Sequence, residues 1–325
     1  MSRLQATPRE ELLDLRVVAL GGGHGLAASL SALRRVVTDL TAVVTVADNG
    51  GSSGRLREEF GVLPPGDLRM ALAALCGDDE WGQTWARVLQ HRFRSSGEMH
   101  DHAVGNLLIV ALWELLGGHV DGLDWVGRLL GAHGRVLPMA VTPLDITAEV
   151  VGLDPGNRKA LTTVRGQVEV ASTSGQVVSV HLDPSDPTAC PQTLEAVRAA
   201  DWVVLGPGSW FSSVIPHLLV PALRDALVSS SARKVVTLNL EPQSGETEGF
   251  SPETHLEVLS VHAPDLKLDV VLVDSGAVVD EEQLRHVAAT LGAELVVADV
   301  AMDDGSPRHD PLKLANAYAG ILAPT

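Results

Sequence analysis

Short β-branched runs alternate along the chain with segments whose apolar residues return every three or four positions. That rhythm is the one of βαβ units closing on a mostly parallel sheet. Strands are expected at Arg16–Leu20, Thr41–Ala47, Trp202–Leu205, Lys234–Leu240, Asp269–Val273 and Glu294–Ala298. Leu26–Val37, Trp81–Phe93, Val104–Leu116, Pro216–Ser229 and Glu282–Leu291 read as the crossover helices between them. One stretch breaks the rhythm: Thr147–Leu182 alternates polar and apolar residues and carries the turn signals DPGN and TSGQ. It is expected to be a small antiparallel β insertion, residues 147–182, within a single α/β domain spanning 1–325. No internal repeat or low-complexity tract interrupts that plan.

Charge removes one class of partner. With 24 Lys+Arg against 41 Asp+Glu the net charge is -17, the reverse of what binding to a phosphate backbone requires, so no nucleic-acid partner is expected. Apolar runs are broken by Gly, Pro or charge before they reach bilayer length, so no membrane span is expected either. The stretch MSRLQATPREELLDLR has no apolar core between its basic residues and the first strand, which does not read as a signal peptide. Cys76 and Cys190 lie far apart without a CxxC partner, unlike a disulfide framework or a thiolate metal site. These features together predict a cytoplasmic protein.

Candidate chemistry gathers where strands end. The first strand runs into Gly21, Gly22, Gly23, His24 and Gly25, and Gly23, Gly25 and Ala28 satisfy G-x-G-x-x-G/A between a strand and a helix. Such glycines either let a diphosphate approach the helix N-terminus or simply pack helix on sheet. Asp48 follows the second strand about 20 residues beyond Ala28, where a dinucleotide-binding acid would meet a ribose hydroxyl. It could equally hold Mg²⁺ beside a diphosphate, because hard cations prefer carboxylate oxygen.

The second loop combines Asp48, Asn49, Gly50, Gly51, Ser52, Ser53, Gly54, Arg55, Leu56 and Arg57. Its amides and hydroxyls suit phosphate oxygens, and Arg55 suits a bidentate contact, whereas Arg57 reads better as a solvated helix face. Pro64-Pro65-Gly66-Asp67-Leu68-Arg69 opens another helix, with Asp67 either capping it or facing a substrate. His102 and Asn106 fall at i and i+4 on one helix face and read as a hydrogen-bonding pair. His100 and His102 alone make a weak metal motif. Gly206, Pro207, Gly208 and Ser209 form a third candidate anion loop, in which Ser212 or Ser213 could be a plain helix cap. Two further polar blocks, Gln243-Ser244-Gly245-Glu246-Thr247 and Arg308-His309-Asp310-Pro311, mean little alone.

In order, the blocks GGGHG, TVADNGGSSGRLR, PPGDLR, HAVGNLL, LGPGSWFSSVIPHLLVPAL, SGET and RHDP resemble the YvcK-type gluconeogenesis factors of the CofD-like superfamily. The resemblance runs from Val17 to about Leu314, and its form is similar to actinobacterial members linked to cell-wall metabolism. It implies a Rossmann-like three-layer α/β/α fold and a regulator that binds UDP-sugars, chiefly UDP-N-acetylglucosamine. Such a regulator supports cell shape and wall integrity during growth on gluconeogenic carbon. The enzyme branch of the superfamily implies the alternative, a 2-phospho-L-lactate transferase using a guanosine diphosphate-linked donor, a deazaflavin acceptor and Mg²⁺.

Residue by residue, the resemblance places Gly21–Gly25, Asp48–Arg55 and Gly206–Ser209 in the three nucleotide loops. Asp48 matches the transferase acid that holds Mg²⁺, and Arg308 falls in the block that contributes to UDP-sugar binding. Three departures matter: His24 stands for the usual Thr, Asn49 for a second Asp, and Glu241-Pro242 for a Thr-Gln style loop. Without that second acid, and with only 3% aromatic residues to stack a deazaflavin, binding is favoured over catalysis, for which Asp48 and Arg55 remain the candidates. A nicotinamide-dependent oxidoreductase rests on Gly23, Gly25, Ala28 and Asp48 alone and ranks last, as does NAD as ligand. A homo-oligomer and protein partners in cell-wall or carbon metabolism complete the expectations.

Overall fold

A computed structural model describes residues 12–243 and 245–323. Residues 1–11, which hold most of the N-terminal stretch, Ser244 of the Gln243–Thr247 block and residues 324–325 lie outside the described residues.

The first half of the chain runs β1 (Arg16–Gly21), α1 (Gly23–Leu33), β2 (Asp39–Val44), α2 (Gly51–Phe60), α3 (Gly66–Ala74), α4 (Glu80–Gln90), α5 (Val104–Leu116), α6 (His119–Leu130) and β3 (Arg135–Pro138). An insertion follows, made of β4 (Asp145–Val151), β5 (Thr162–Arg165), α7 (Gln167–Ala171) and β6 (Gln176–Asp183). Then come α8 (Pro191–Ala199), β7 (Trp202–Leu205), a π-helical turn at Trp210–Val214, α9 (Pro216–Leu219), α10 (Pro221–Ser229) and β8 (Arg233–Thr237). The chain ends with α11 (Pro252–His262), β9 (Val270–Asp274), α12 (Glu281–Thr290), β10 (Glu294–Ala298) and α13 (Pro311–Leu322).

Seven strands form one parallel sheet in the order β10-β9-β8-β7-β1-β2-β3. Strands β7 and β9 expose no residue, as befits a sheet flanked by helices. The alternating stretch is the three-stranded antiparallel sheet β5-β4-β6 that its pattern predicts, running from Asp145 to Asp183. Ile146, Ala148, Val150 and Val180 of that small sheet join the hydrophobic core of the large one.

Several boundaries differ from the sequence pattern for local reasons. β2 ends at Val44, where the Thr45 N–H makes the last ladder bond, to the carbonyl of Gly21. Buried Val46 and Ala47 then carry the chain into the second loop outside the sheet. β3 is a four-residue edge strand, too short to show a period. Pro216–Ser229 splits into α9 and α10 at Val220, which precedes Pro221 and adopts extended backbone. No helix among the described residues is long and apolar enough to cross a membrane.

One buried polar network ties the far end of the chain to the loops. Tyr318, the only tyrosine, is fully buried in α13, with its hydroxyl 2.8 Å from Ser29 Oγ and 2.9 Å from Thr237 Oγ1. Ser29 in turn donates to the carbonyl of Gly206. With each such bond contributing about 1 kcal/mol net, α13 fixes α1 against the loop after β7.

Candidate functional site

The chain leaves β1 toward β2 and β3, then returns to β7 on the other side of β1 and continues outward to β10. Connections therefore part in opposite directions between β1 and β7. In an open parallel sheet that point leaves a crevice outside the carboxyl ends of the strands. A crevice of about 550 Å³ lies there, lined by His24, Gly25 and Ala28 after β1, Pro207 and Gly208 after β7, Asn239–Gln243 after β8, and Pro307–His309.

Glycine is required where the first and third loops meet. A Cβ on Gly25 would lie 2.3 Å from the Pro207 carbonyl oxygen and 2.5 Å from Gly208 Cα. Gly22 faces Thr45 and Asp67 at 2.5 and 2.6 Å in the same sense. Helix α1 starts at Gly23 with no side-chain cap from Gly22, and its next two residues, His24 and Gly25, line the crevice. Gly208 is held by Asn239, which accepts its N–H and donates back to its carbonyl, each at 2.9 Å.

Asp67 does not cap its own helix, whose N-cap is Pro65 without a side-chain bond. It reaches instead to the Gly23 N–H. Burial pushes its carboxyl up to about 7, the charge of Asp48 adds to that rise, and the Gly23 amide and Arg69 oppose it. Asp48 accepts the Gly50 N–H at 2.8 Å, and Gly66 is the only residue small enough to sit between Asp48 Oδ2 and Ser53 Oγ. Asp67 thus takes the first amide of α1, and Asp48 the N–H of Gly50, the residue before α2.

His102 and Asn106 share a helix face, and that face meets Ser52. The Ser52 hydroxyl accepts the Asn106 amide at 3.0 Å and the Ala103 N–H at 3.3 Å. Its own proton is left for His102 Nδ1 at 3.0 Å, which places the imidazole proton on Nε2. Asn106 also accepts Arg69 Nε at 2.9 Å, while a second Arg69 nitrogen donates to Gln90. Burial brings the Arg69 guanidinium down to about 10. This buried chain positions the second loop from behind.

Arg55 lies apart from the crevice, donating to the carbonyls of Glu98 and His100. With Asn49, Gly51, Arg57 and Arg165 it lines a more open groove of about 900 Å³ beside the insertion. Arg57 pairs with Asp145 at 2.6 Å rather than pointing into solvent. Both side-chain ends of Asn49 are bonded to α7, through Glu169 and the Val168 N–H. Ser209 is the N-cap of the π-helical turn but makes no side-chain cap, and Ser212 and Ser213 are buried within it.

Arg308 stands at the crevice rim, 68% exposed, its side chain bonded among the described residues only to Ser306 and Asp304. His309 beneath it is buried, which takes its imidazole down to about 4. Glu246 of the Gln243–Thr247 block is 4% exposed, and burial raises its carboxyl against the partial help of Ser212, Ser209 and the Trp210 amide. Asn239, Asn49's partner Glu169 and the coupling of Asp67 to Asp48 have no signal in the sequence, because each depends on loops brought together by strand order.

A family model described as 2-phospho-L-lactate transferase CofD matches residues 17–309. The chain belongs to the CofD family. It is 54% identical over 310 residues to a Mycobacterium tuberculosis protein named "Putative gluconeogenesis factor", covering 94% of this chain and 90% of that one. It is 35% identical over 318 residues to the gluconeogenesis factor of Listeria monocytogenes, covering 94% and 95% of the two chains. A crystal structure of a UPF0052 family member from Bacillus halodurans superposes with a TM-score of 0.82 at 32% identity, over 93% of this chain and 98% of that one. Family membership, the α/β architecture and the small antiparallel sheet agree.

The CofD family brings Mg²⁺ into consideration. Among the described residues no cluster of three or more His, Cys, Asp or Glu side chains is placed to hold a metal. Asp48 and Asp67 nevertheless fit the habit of Mg²⁺, which takes one or two carboxylates and completes its shell with water and substrate phosphates.

Proposed function

We propose that the chain binds a nucleotide-sugar, UDP-N-acetylglucosamine, in the crevice between β1 and β7, and acts as a cytoplasmic regulator of cell shape and wall integrity during gluconeogenic growth. The observation that carries this reading is the crevice itself. It lies where the strand order reverses, its two walls touch at a contact only glycine permits, and an arginine bonded among the described residues only within its own loop stands at its rim. The nucleoside is assigned to the crevice and the diphosphate to the start of α1 at His24 and Gly25, where the helix dipole favours negative charge. From there the sugar extends toward the second loop. The names of the mycobacterial and Listeria relatives support the gluconeogenic part.

The transferase reading has one observation in its favour, the Asp48/Asp67 pair. Bound there, Mg²⁺ would neutralise charge developing on a diphosphate leaving group. Asp48 and Asp67 would hold it, and the starts of α1 and α2 would orient the phosphates.

Arg308→Ala separates binding from folding. Its bonds reach only two and four residues away and are exposed, so the melting temperature is expected to stay within about a degree. Affinity for UDP-N-acetylglucosamine, measured by calorimetric titration, is expected to fall about tenfold or more with the loss of a charge-assisted contact. Unchanged affinity would remove Arg308 from the site.

A further inference from the structure

The second loop is bolted to the insertion. Asn49 Nδ2 donates to Glu169 Oε2 at 2.8 Å, and Asn49 Oδ1 accepts the Val168 N–H at 3.1 Å. The fit allows no slack. Gly166 has φ +105, and a Cβ there would lie 2.4 Å from Asn49 Nδ2 and 2.0 Å from Glu169 Oε2. A Cβ on Gly50 would lie 2.8 Å from Val168 Cγ2. The same five-residue helix α7 touches the π-helical turn after the third loop, where Gln167 Nε2 donates to the Ser212 carbonyl at 3.4 Å. It also touches the segment after β8, where a Cβ on Gly245 would lie 2.6 Å from the Ala171 carbonyl oxygen. Helix α7 is therefore in contact with the second loop, toward which the sugar is assigned, and with the π-helical turn that follows the third.

We infer that Asn49 and Glu169 are a positioning pair through which the insertion sets the second loop, and with it the affinity of the site for a nucleotide-sugar. This rests on the function proposed above. The chemistry explains why position 49 holds an amide. An aspartate there could still accept the Val168 N–H, but it would face the Glu169 carboxylate at the same short distance with no proton between them. Like charges would push α7 off the loop. Asn49 thus bonds the insertion through both ends of its side chain, donating at one and accepting at the other.

The test is a double-mutant cycle on the full chain, read by calorimetric titration with UDP-N-acetylglucosamine and by amide hydrogen exchange of Gln167–Ala171. Asn49→Asp is expected to weaken binding about three- to tenfold, the range of a single contact pair, and to raise exchange in α7. Adding Glu169→Gln supplies an amide that donates to the new carboxylate, and it is expected to restore both readouts. Asn49→Asp that leaves exchange unchanged, or a double variant that recovers neither readout, would overturn the pairing. Restored exchange with affinity still lost would mean that Asn49 touches the ligand, which also overturns it. Should the unsubstituted protein not bind UDP-N-acetylglucosamine at all, the proposed function fails. The exchange arm then still decides the pair.

Discussion

Asp67→Asn is expected to stabilise the ligand-free protein at pH 8 by about 2–4 kcal/mol, with the gain shrinking toward zero as the pH falls to about 4. The carboxyl sits near 4 in the unfolded chain and about 7 in the folded one, raised first by burial and then by Asp48. Between those values the folded state holds the extra proton, so stability from this residue is full below the lower value and drains away as pH rises through the upper one. The amide keeps an oxygen for the Gly23 N–H and removes the charge. Comparing the two proteins across pH isolates Asp67 from His217 and His309. Both are depressed to about 4 by burial and push stability upward over part of the same range. Denaturant unfolding at roughly half-unit steps from about pH 4.5 to 8.5 reads the difference, and a gap that does not grow with pH would show that the Asp67 carboxyl is not desolvated against the first loop.

Gly25→Ala is expected to destabilise the protein by about 1–3 kcal/mol and to abolish nucleotide-sugar binding. The added methyl would meet backbone on the facing loop, the Pro207 carbonyl and Gly208 Cα, and backbone cannot swing aside as a side-chain tip can. Relief comes only by parting the first and third loops. That same movement widens the crevice and tilts the start of α1 away from the third loop. Thermal unfolding and titration on one sample measure both effects, and a methyl accepted at this position without loss of either would show that the two loops do not close on each other.

The glycines of the first loop illustrate what the sequence can and cannot specify. Gly23, Gly25 and Ala28 announce a strand, a tight turn and a helix in the right order, and the structure has all three. Which loop presses on Gly25 is set by the adjacency of β1 and β7, strands more than 180 residues apart whose pairing has no local signature. The same holds for the acids. Asp48 is legible as the residue after a strand, but Asp67 reads as a helix cap until α3 is packed beside α1 and its carboxyl is turned to Gly23.

Composition does not reveal the conformation in one place. Gly-Ser-Ser-Gly at positions 51–54 reads as flexible, yet it is the first turn of α2, with both hydroxyls buried. Ser52 is consumed by His102, Asn106 and Ala103, contacts that lie about 50 residues away in sequence. Asn49 shows the converse. As a departure from an expected acid it looks like a loss, and only the register of the insertion against the second loop supplies Glu169 as the reason for an amide.

Calorimetric titration of the purified protein with UDP-N-acetylglucosamine, GDP and NAD, each with and without Mg²⁺, tests nucleotide-sugar binding in the crevice most directly. The predicted result is saturable binding of UDP-N-acetylglucosamine, about one per chain, independent of Mg²⁺ and with no product formed. Binding confined to GDP and dependent on Mg²⁺ would contradict it.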